Sequence, residues 1–195
     1  MSITNGYATL NDYRQYQDID SADQADDTVI ELMIESASRY IDGQTGRKFY
    51  ARTETRYFDV PSGRELRFDD DLISITTLTN GEGTEIGSDE YNFIPRNTTP
   101  YYGLKLKEAS TYYWLPDSDS NYEGVISIAG SWGWASAVPA DIKSATLEIA
   151  QTAYRRRSGQ NTEGVARVTA AGVVLSPRDI PAYAMAVIAK YRQML

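Results

Sequence analysis

IESASRYIDGQTGRKFY, from Ile34 to Tyr50, decides how this chain is read. Its first half completes an amphipathic helix. Val29, Met33, Ala37 and Ile41 recur every four residues, and Ile30, Ile34 and Tyr40 widen that stripe into a face broad enough to bury. Upstream, Asp20, Ser21 and Asp23 read as the start of the helix, with acidic side chains at its positive end. Gly43 is the expected stop, because glycine readily takes the left-handed conformation that ends helices. A second glycine, Gly46, follows. Arg47 and Lys48 then lead into aromatic residues, and the texture turns from helix to strand. Before this helix, Thr9 and Asn11 are candidate caps for a shorter one running to Asp18.

From about Arg52 to Ala137 the pattern is that of strands. TRYFDV, Pro61-Ser62-Gly63 and ELRF read as a hairpin. LISITTLT runs into Asn80-Gly81, a strong turn signal. EYNFI, GLKLK and GVISIAG follow, separated by Pro, Gly, Asn and Ser clusters, and Leu104-Lys105-Leu106-Lys107 alternates as a half-exposed strand does. Tyrosine pairs at 101–102 and 112–113 suit sheets and interfaces alike. Beyond Pro139 the period returns to helix. Ile142, Ala145, Ile149 and Ala153 line one face, and Arg155, Arg156 and Arg157 close it where cations favour the helix dipole. SGQNTEG reads as loop, and VARVTAAGVVL as a hairpin or a mobile loop. Asp179 is the expected cap of a last helix with Pro181 in its first turn, and Ala184, Val187, Ile188, Tyr191 and Leu195 form its apolar face. The order predicts an α+β fold: a small antiparallel helical bundle from residues 1–52 and 138–195, with an antiparallel β-rich subdomain, residues 53–137, inserted into it.

Composition narrows the chemistry. The chain has 195 residues, 42% of them hydrophobic, and a formal net charge of -8. An acidic chain lacks the basic face that a sequence-independent nucleic-acid binder uses to displace counterions, and it is repelled by an anionic membrane surface. There is no Cys and no His, which removes disulfides, thiolate metal sites, Cys nucleophiles and the commonest general base. No apolar run reaches the roughly 18 residues that a membrane-spanning helix needs. MSITNGYATL lacks the basic and apolar regions of a signal peptide.

The remaining motifs carry little catalytic signal. Asp69-Asp70-Asp71 is the densest carboxylate run, and it reads as a solvated polar turn between strands rather than a divalent-cation site. Asp117-Ser118-Asp119-Ser120-Asn121 has the look of a calcium loop but lacks the glycine and glutamate that such a loop requires at its sixth and twelfth positions. Gly130-Ser131-Trp132-Gly133-Trp134 is not a phosphate-binding loop; it reads as a strand end with two tryptophans over a sheet–helix junction. The arginine run at 155–157 is expected to cap its helix or to meet carboxylates of a partner, ahead of nucleic acid. No metal, cofactor or catalytic residue is expected.

Two blocks carry a resemblance. Ala37, Tyr40, Ile41, Thr45, Gly46 and Arg47 reproduce an A-x-x-Y-I-x-x-x-T-G-R pattern. VISIAGSWGWASAVPADIKSATLEIA, through Val125, Gly130, Trp132, Gly133, Val138, Pro139, Asp141, Ile142 and Ala145, resembles V-x-V-x-G-x-W-G-x followed by V-P-x-D-I-x-x-A. Both are similar to sequences of the head–tail connector, or adaptor, proteins of tailed double-stranded DNA phages. Asp179-Ile180-Pro181 and Tyr191-Arg192 resemble that family's last helix. The resemblance implies a structural, non-enzymatic virion protein, assembled in the host cytoplasm and sited in the neck between head and tail. It implies a ring, usually of twelve copies, that docks on the portal protein, extends the DNA channel and offers a surface to the stopper or tail-completion protein. The genome passes through without specific binding, and an acidic wall suits that passage. The candidate portal or subunit contacts are Arg155, Arg156, Arg157, Arg167, Val173, Val174, Leu175, Tyr191 and Leu195, in a C-terminal region reaching the portal from about Ser158 onward. The sequence departs from the family in its strand-rich insert, since many such adaptors are shorter and mainly helical. The competing reading is an aromatic-rich carbohydrate- or host-binding module of a virion. A metal-dependent enzyme built on the Asp69–Asp71 run is the third.

Overall fold

The computed structural model describes residues 3–157, 168–169, 172–173 and 180–193. The fold is α+β, with four helices and a five-stranded antiparallel sheet. The chain divides into two compact units: Met1–Arg47 with Val138–Leu195, and Lys48–Ala137.

In the first unit, α1 (Leu10–Gln17) begins at a reciprocal cap. The Thr9 hydroxyl accepts from the Asp12 backbone N–H, and the Asp12 carboxylate accepts from the Thr9 N–H. Asn11 lies inside the helix instead of capping it. Helix α2 spans Asp27–Thr45, so it starts later than the acidic run suggests. The residues from Asp20 to Ala25 are turns, because the Asp20 and Asp23 side chains accept from the Ala22 and Ala25 N–H groups and compete with the helix. Helix α3 covers Ala140–Arg157 and α4 covers Ala182–Tyr191. Pro181 occupies the position just before α4, and its carbonyl accepts from the Met185 N–H; the cap expected at Asp179 lies outside the described residues. Val168–Thr169 (β6) and Gly172–Val173 (β7) pair antiparallel, so these backbones take the hairpin alternative.

Side-chain contacts set the helix directions. Asp26, at the start of α2, accepts from the Tyr154 hydroxyl and the Arg157 guanidinium at the end of α3. These two helices are therefore antiparallel. Asp12 and Gln17 of α1 meet Lys143 and Gln151 of α3 in the same order, so that pair is parallel. Lys190 and Tyr191, at the end of α4, meet Asp141 at the start of α3, which makes these two antiparallel. Ile34, Ala37 and Ile41 of α2, Ile142, Ala145 and Ala150 of α3, and Ala184 of α4 are fully buried.

The second unit holds β1 (Arg52–Phe58), β2 (Glu65–Thr79), β3 (Tyr91–Ile94), β4 (Tyr101–Leu106) and β5 (Ile126–Trp132). Their order across the sheet is β1-β5-β2-β4-β3. The expected hairpin between TRYFDV and ELRF does not form. β1 pairs with β5, from Arg52 opposite Trp132 to Phe58 opposite Ile126, and β5 separates β1 from β2. Strand β5 alternates buried and half-buried along its whole length, so it takes an interior place, while β1, built of Thr, Arg, Glu, Tyr and Phe, takes the edge. ELRF and LISITTLT form one long, bulged strand. Asp69-Asp70-Asp71 lies within it and is not a turn between strands. Asp70 bonds Arg52 and Arg56, Asp69 bonds Arg56, and Asp71 is buried. Charge pairing by the basic residues of β1 lets three consecutive aspartates stay in a strand. The core gathers Leu66, Leu78, Leu104, Ile126, Ile128 and Trp132. Trp132 belongs to this core: its ring stacks on Phe58 at 6.0 Å and meets Phe68 edge-on at 5.5 Å.

Candidate functional site

The residues of the first block converge at one end of the helical unit. Helix α2 stops at Gly46, not at Gly43, which lies in the helix. Gly46 has φ +70°, and its N–H donates to the Asp42 carbonyl. The Thr45 hydroxyl turns back to donate to the Ile41 carbonyl at 2.8 Å and accepts from the Arg47 N–H at 3.2 Å. Arg47 then reaches across sequence: its Nε donates to the Tyr191 carbonyl at 2.8 Å. The Gln193 N–H donates to the Thr45 carbonyl, and Arg192 Nε donates to that of Gln44. Thr45-Gly46-Arg47 thus ends one helix and ties down the end of another, using carbonyls that helix termini leave without partners. Ile41 is buried beneath this junction and Tyr40 is half-buried, its phenol held above its ordinary value by burial.

Asp141 closes the arrangement from α3. Its carboxylate accepts from the Tyr191 hydroxyl at 2.9 Å on both oxygens and from Lys190 Nζ at 2.8 Å, while the Pro139 carbonyl accepts from the Lys143 N–H. Burial alone would raise the Asp141 pKa. The hydrogen bonds from Lys190 and Tyr191 outweigh it and hold the carboxyl below the ordinary value. A depressed carboxyl stabilises the fold above its unfolded pKa and stops doing so as pH falls through the folded one. We therefore expect Asp141→Asn to cost about 1–2 kcal/mol at neutral pH. The difference should hold above the unfolded carboxyl value of about 4 and shrink as pH falls below it towards the depressed folded value, where the parent loses the ionised form as well. Urea midpoints measured from pH 3 to pH 8 check both statements, and a constant difference across that range would refute the second.

The second block serves close backbone approach in the sheet unit. A Cβ on Gly130 would lie 2.3 Å from the Ser74 carbonyl oxygen of the neighbouring strand, and one on Gly133 would lie 2.3 Å from the Tyr50 oxygen. The Gly133 N–H donates to the Asp71 carbonyl at 2.7 Å, and Trp134 packs on Phe49 with ring centroids 6.1 Å apart. The two tryptophans are sheet-unit residues, Trp132 buried and Trp134 half-buried.

The candidate contact residues divide. Arg155 is exposed, Arg156 half-buried, and Arg157 is spent in part on its ion pair with Asp26 at 3.1 Å. Tyr191 is only 8% exposed and holds Asp141, so it is an internal fastening rather than a contact surface. Arg167, Val174, Leu175 and Leu195 lie outside the described residues, and Val173 is placed by its backbone pairing alone. The residues that periodicity overlooked are on the other side of α4. Tyr183 and Met185 are exposed, with Ala182, Ala186 and Ala189 around them, and Lys190 is the only charged residue of the helix. An outward helix face normally carries charge. The signal was present in AYAMAVIA: no polar face balances the apolar one. Tyr57, Tyr102, Tyr113 and Tyr122 are exposed on the sheet unit.

No metal-binding geometry appears among the described residues, where no group of three or more Asp or Glu is placed to hold an ion. In the Asp117 to Asn121 stretch, the Asp117 carboxylate accepts from the backbone N–H groups of Asp119 and Asn121, which explains its acidic, calcium-loop look as a side-chain-held turn. None of the described helices is long and apolar enough to cross a membrane.

No family model matches the chain, and no curated protein matches it. Among solved structures, it is similar to a chain of the neck of an empty GTA particle computed with C6 symmetry, with a TM-score of 0.61 at 16% identity, covering 100% of this chain and 94% of that one. It is similar also to a chain of the virion of a native gene transfer agent (GTA) particle, with a TM-score of 0.56 at 16% identity and the same coverage. At this identity the likeness is one of fold, and it runs from end to end, both units included.

Proposed function

We propose that this chain is a structural protein of a virion neck, a head–tail adaptor without enzymatic activity. The observation that carries the reading is the end-to-end likeness to the gene transfer agent chains, one of them from a neck. The adaptor-like sequence blocks support it independently, since Thr45-Gly46-Arg47 and Asp141 do joint architectural work. In this reading copies form a ring, of twelve where the portal has twelve, that docks on the portal, extends the DNA channel and receives the stopper or tail-completion protein. A sixfold axis is compatible with twelve copies. The net charge of -8 keeps a channel wall from holding phosphates. The portal-facing part is the C-terminal region from about Ser158, and it includes the largely apolar outer face of α4, where Tyr183 and Met185 are exposed. The exposed tyrosines of the sheet unit give some weight to a carbohydrate- or host-binding module, but the buried Trp132 provides no stacking platform.

The test uses the full chain, since removing residues 158–195 would strip the buried face of α4 from the core. Mixed with purified portal rings, the chain should co-sediment and add a ring-shaped layer in negative-stain images. Tyr183→Glu and Arg167→Glu should each weaken co-sedimentation about tenfold, the effect of about 1.4 kcal/mol. Absence of binding by the folded parent chain overturns the adaptor reading. Full binding by both variants moves the contact away from the C-terminal region, with the tyrosine-bearing strands next in line.

A further inference from the structure

The two edges of the sheet are unequal. Strand β3 is four residues long and is followed by Pro95, which cannot donate to a ladder. Strand β1 is seven residues long, pairs with β5 residue for residue without a bulge, and contains no Pro, Gly or Lys. Natural edges are usually guarded by such devices, because an open edge presents unpaired N–H and C=O groups to another strand. Apart from Trp132 Nε1, which donates to the Glu54 carbonyl, no described residue is seen to bond the β1 backbone from outside its ladder with β5. The charges that β1 does carry are neutralised within the chain: Arg52 and Arg56 bond Asp70, and Arg56 also bonds Glu54. On the other face, Thr53, Thr55 and Tyr57 stand exposed beside Ser127, Ala129 and Ser131 of β5, an uncharged surface.

We propose that β1 is a docking edge for the β1 strand of a second copy of this chain, antiparallel and centred on Thr55. The occupant follows from charge. Pairing must keep side chains on their own faces, so the register moves in steps that leave three central choices. Centred on Glu54, the strands set Glu54 against the partner copy's Glu54 and Arg52 against its Arg56. Centred on Arg56, they set arginine against arginine. Centred on Thr55, they set Glu54 against Arg56 twice, Thr53 against Tyr57 twice, and Arg52 against Phe58. Directly opposed opposite charges stabilise an antiparallel pair, and like charges destabilise it. Of these three, only the Thr55 register is self-complementary, and the contact it makes is isologous and closed. It joins two five-stranded sheets into one and leaves no long edge open. This inference stands apart from the adaptor reading and concerns the free chain.

The absence of native cysteine makes the test clean. In the proposed register the two copies of residue 55 face each other with Cα atoms about 5 Å apart, within disulfide reach. The two copies of residue 53 are offset by four strand positions, about 13 Å, beyond it. Purified full-length chain carrying Thr55→Cys, an exposed position, should oxidise to a covalent dimer at least tenfold faster than the chain carrying Thr53→Cys. Equal rates, or no dimer from Thr55→Cys, overturn the proposal. By sedimentation velocity, Glu54→Arg should shift the parent dimer toward monomer, and Glu54→Arg with Arg56→Glu should restore it by exchanging the charges. A double variant that folds by circular dichroism and stays monomeric also overturns it. Where the charge variants fail to fold, the cysteine pair decides alone. None of these measurements involves the portal, so failure here leaves the adaptor reading untouched, and failure to bind portal leaves this pairing untouched.

Discussion

Trp132→Ala is expected to destabilise the sheet unit by about 3–5 kcal/mol, the range for emptying a large aromatic site in a core. Trp132 is fully buried and is held on several sides. It stacks on Phe58, meets Phe68 edge-on, and lies under the Arg56 guanidinium 4.8 Å from its ring centroid. Its Nε1 donates to the Glu54 carbonyl at 3.2 Å. The cavity would open beneath the interior strand β5, where neither neighbouring strand can move inward without breaking its ladder. A loss of this size approaches the total stability of an ordinary domain. The measurement is a urea melt followed by far-ultraviolet circular dichroism. Trp132→Phe should recover more than half of the loss, since it keeps the ring contacts and forfeits the hydrogen bond. A cost below about 1 kcal/mol for the alanine variant would show that the cluster is not the core of this unit.

Gly133→Val is expected to be as severe, for a different reason. Gly133 has φ +138°, a conformation that side-chain-bearing residues rarely adopt. The added Cβ would lie 2.3 Å from the Tyr50 oxygen and 3.1 Å from its carbonyl carbon. Both obstacles are backbone, and the segment they belong to is fixed by the bond from the Trp134 N–H to the Lys48 carbonyl at 2.7 Å. Strain and clash together should cost about 3 kcal/mol or more. Gly133→Ala should be nearly as damaging, because the first added carbon is the offending one. A valine variant that melts within a few degrees of the parent would show that the Gly133 turn relaxes easily.

Sequence by itself determined the parts of this protein whose causes are local. The periods of α2, α3 and α4, the Thr9 cap, the alternation of Leu104-Lys105-Leu106-Lys107 and the turn at Asn80-Gly81 each depend on residues within a turn or two of one another. So does the junction of helix and strand at Thr45-Gly46-Arg47, although the glycine that ends α2 is Gly46 rather than Gly43. Either glycine can adopt the left-handed conformation, and what selects Gly46 is distant: the Gln193 N–H donates to the Thr45 carbonyl, and the Tyr191 carbonyl accepts from Arg47. Tertiary structure alone decided the rest. TRYFDV and ELRF satisfy every local rule for a hairpin, yet β5, nearly seventy residues later in sequence, enters between them because its alternately buried residues gain more from an interior place than the polar β1 does. The same pairing puts Arg52 and Arg56 beside Asp69 and Asp70, which turns an apparent polar turn into strand. Tyr191 reads as apolar surface by period but is an internal hydrogen-bond donor, because Asp141, fifty positions away, needs its hydroxyl. Burial and charge pairing act between residues that meet only after folding, and no window along the chain contains both partners.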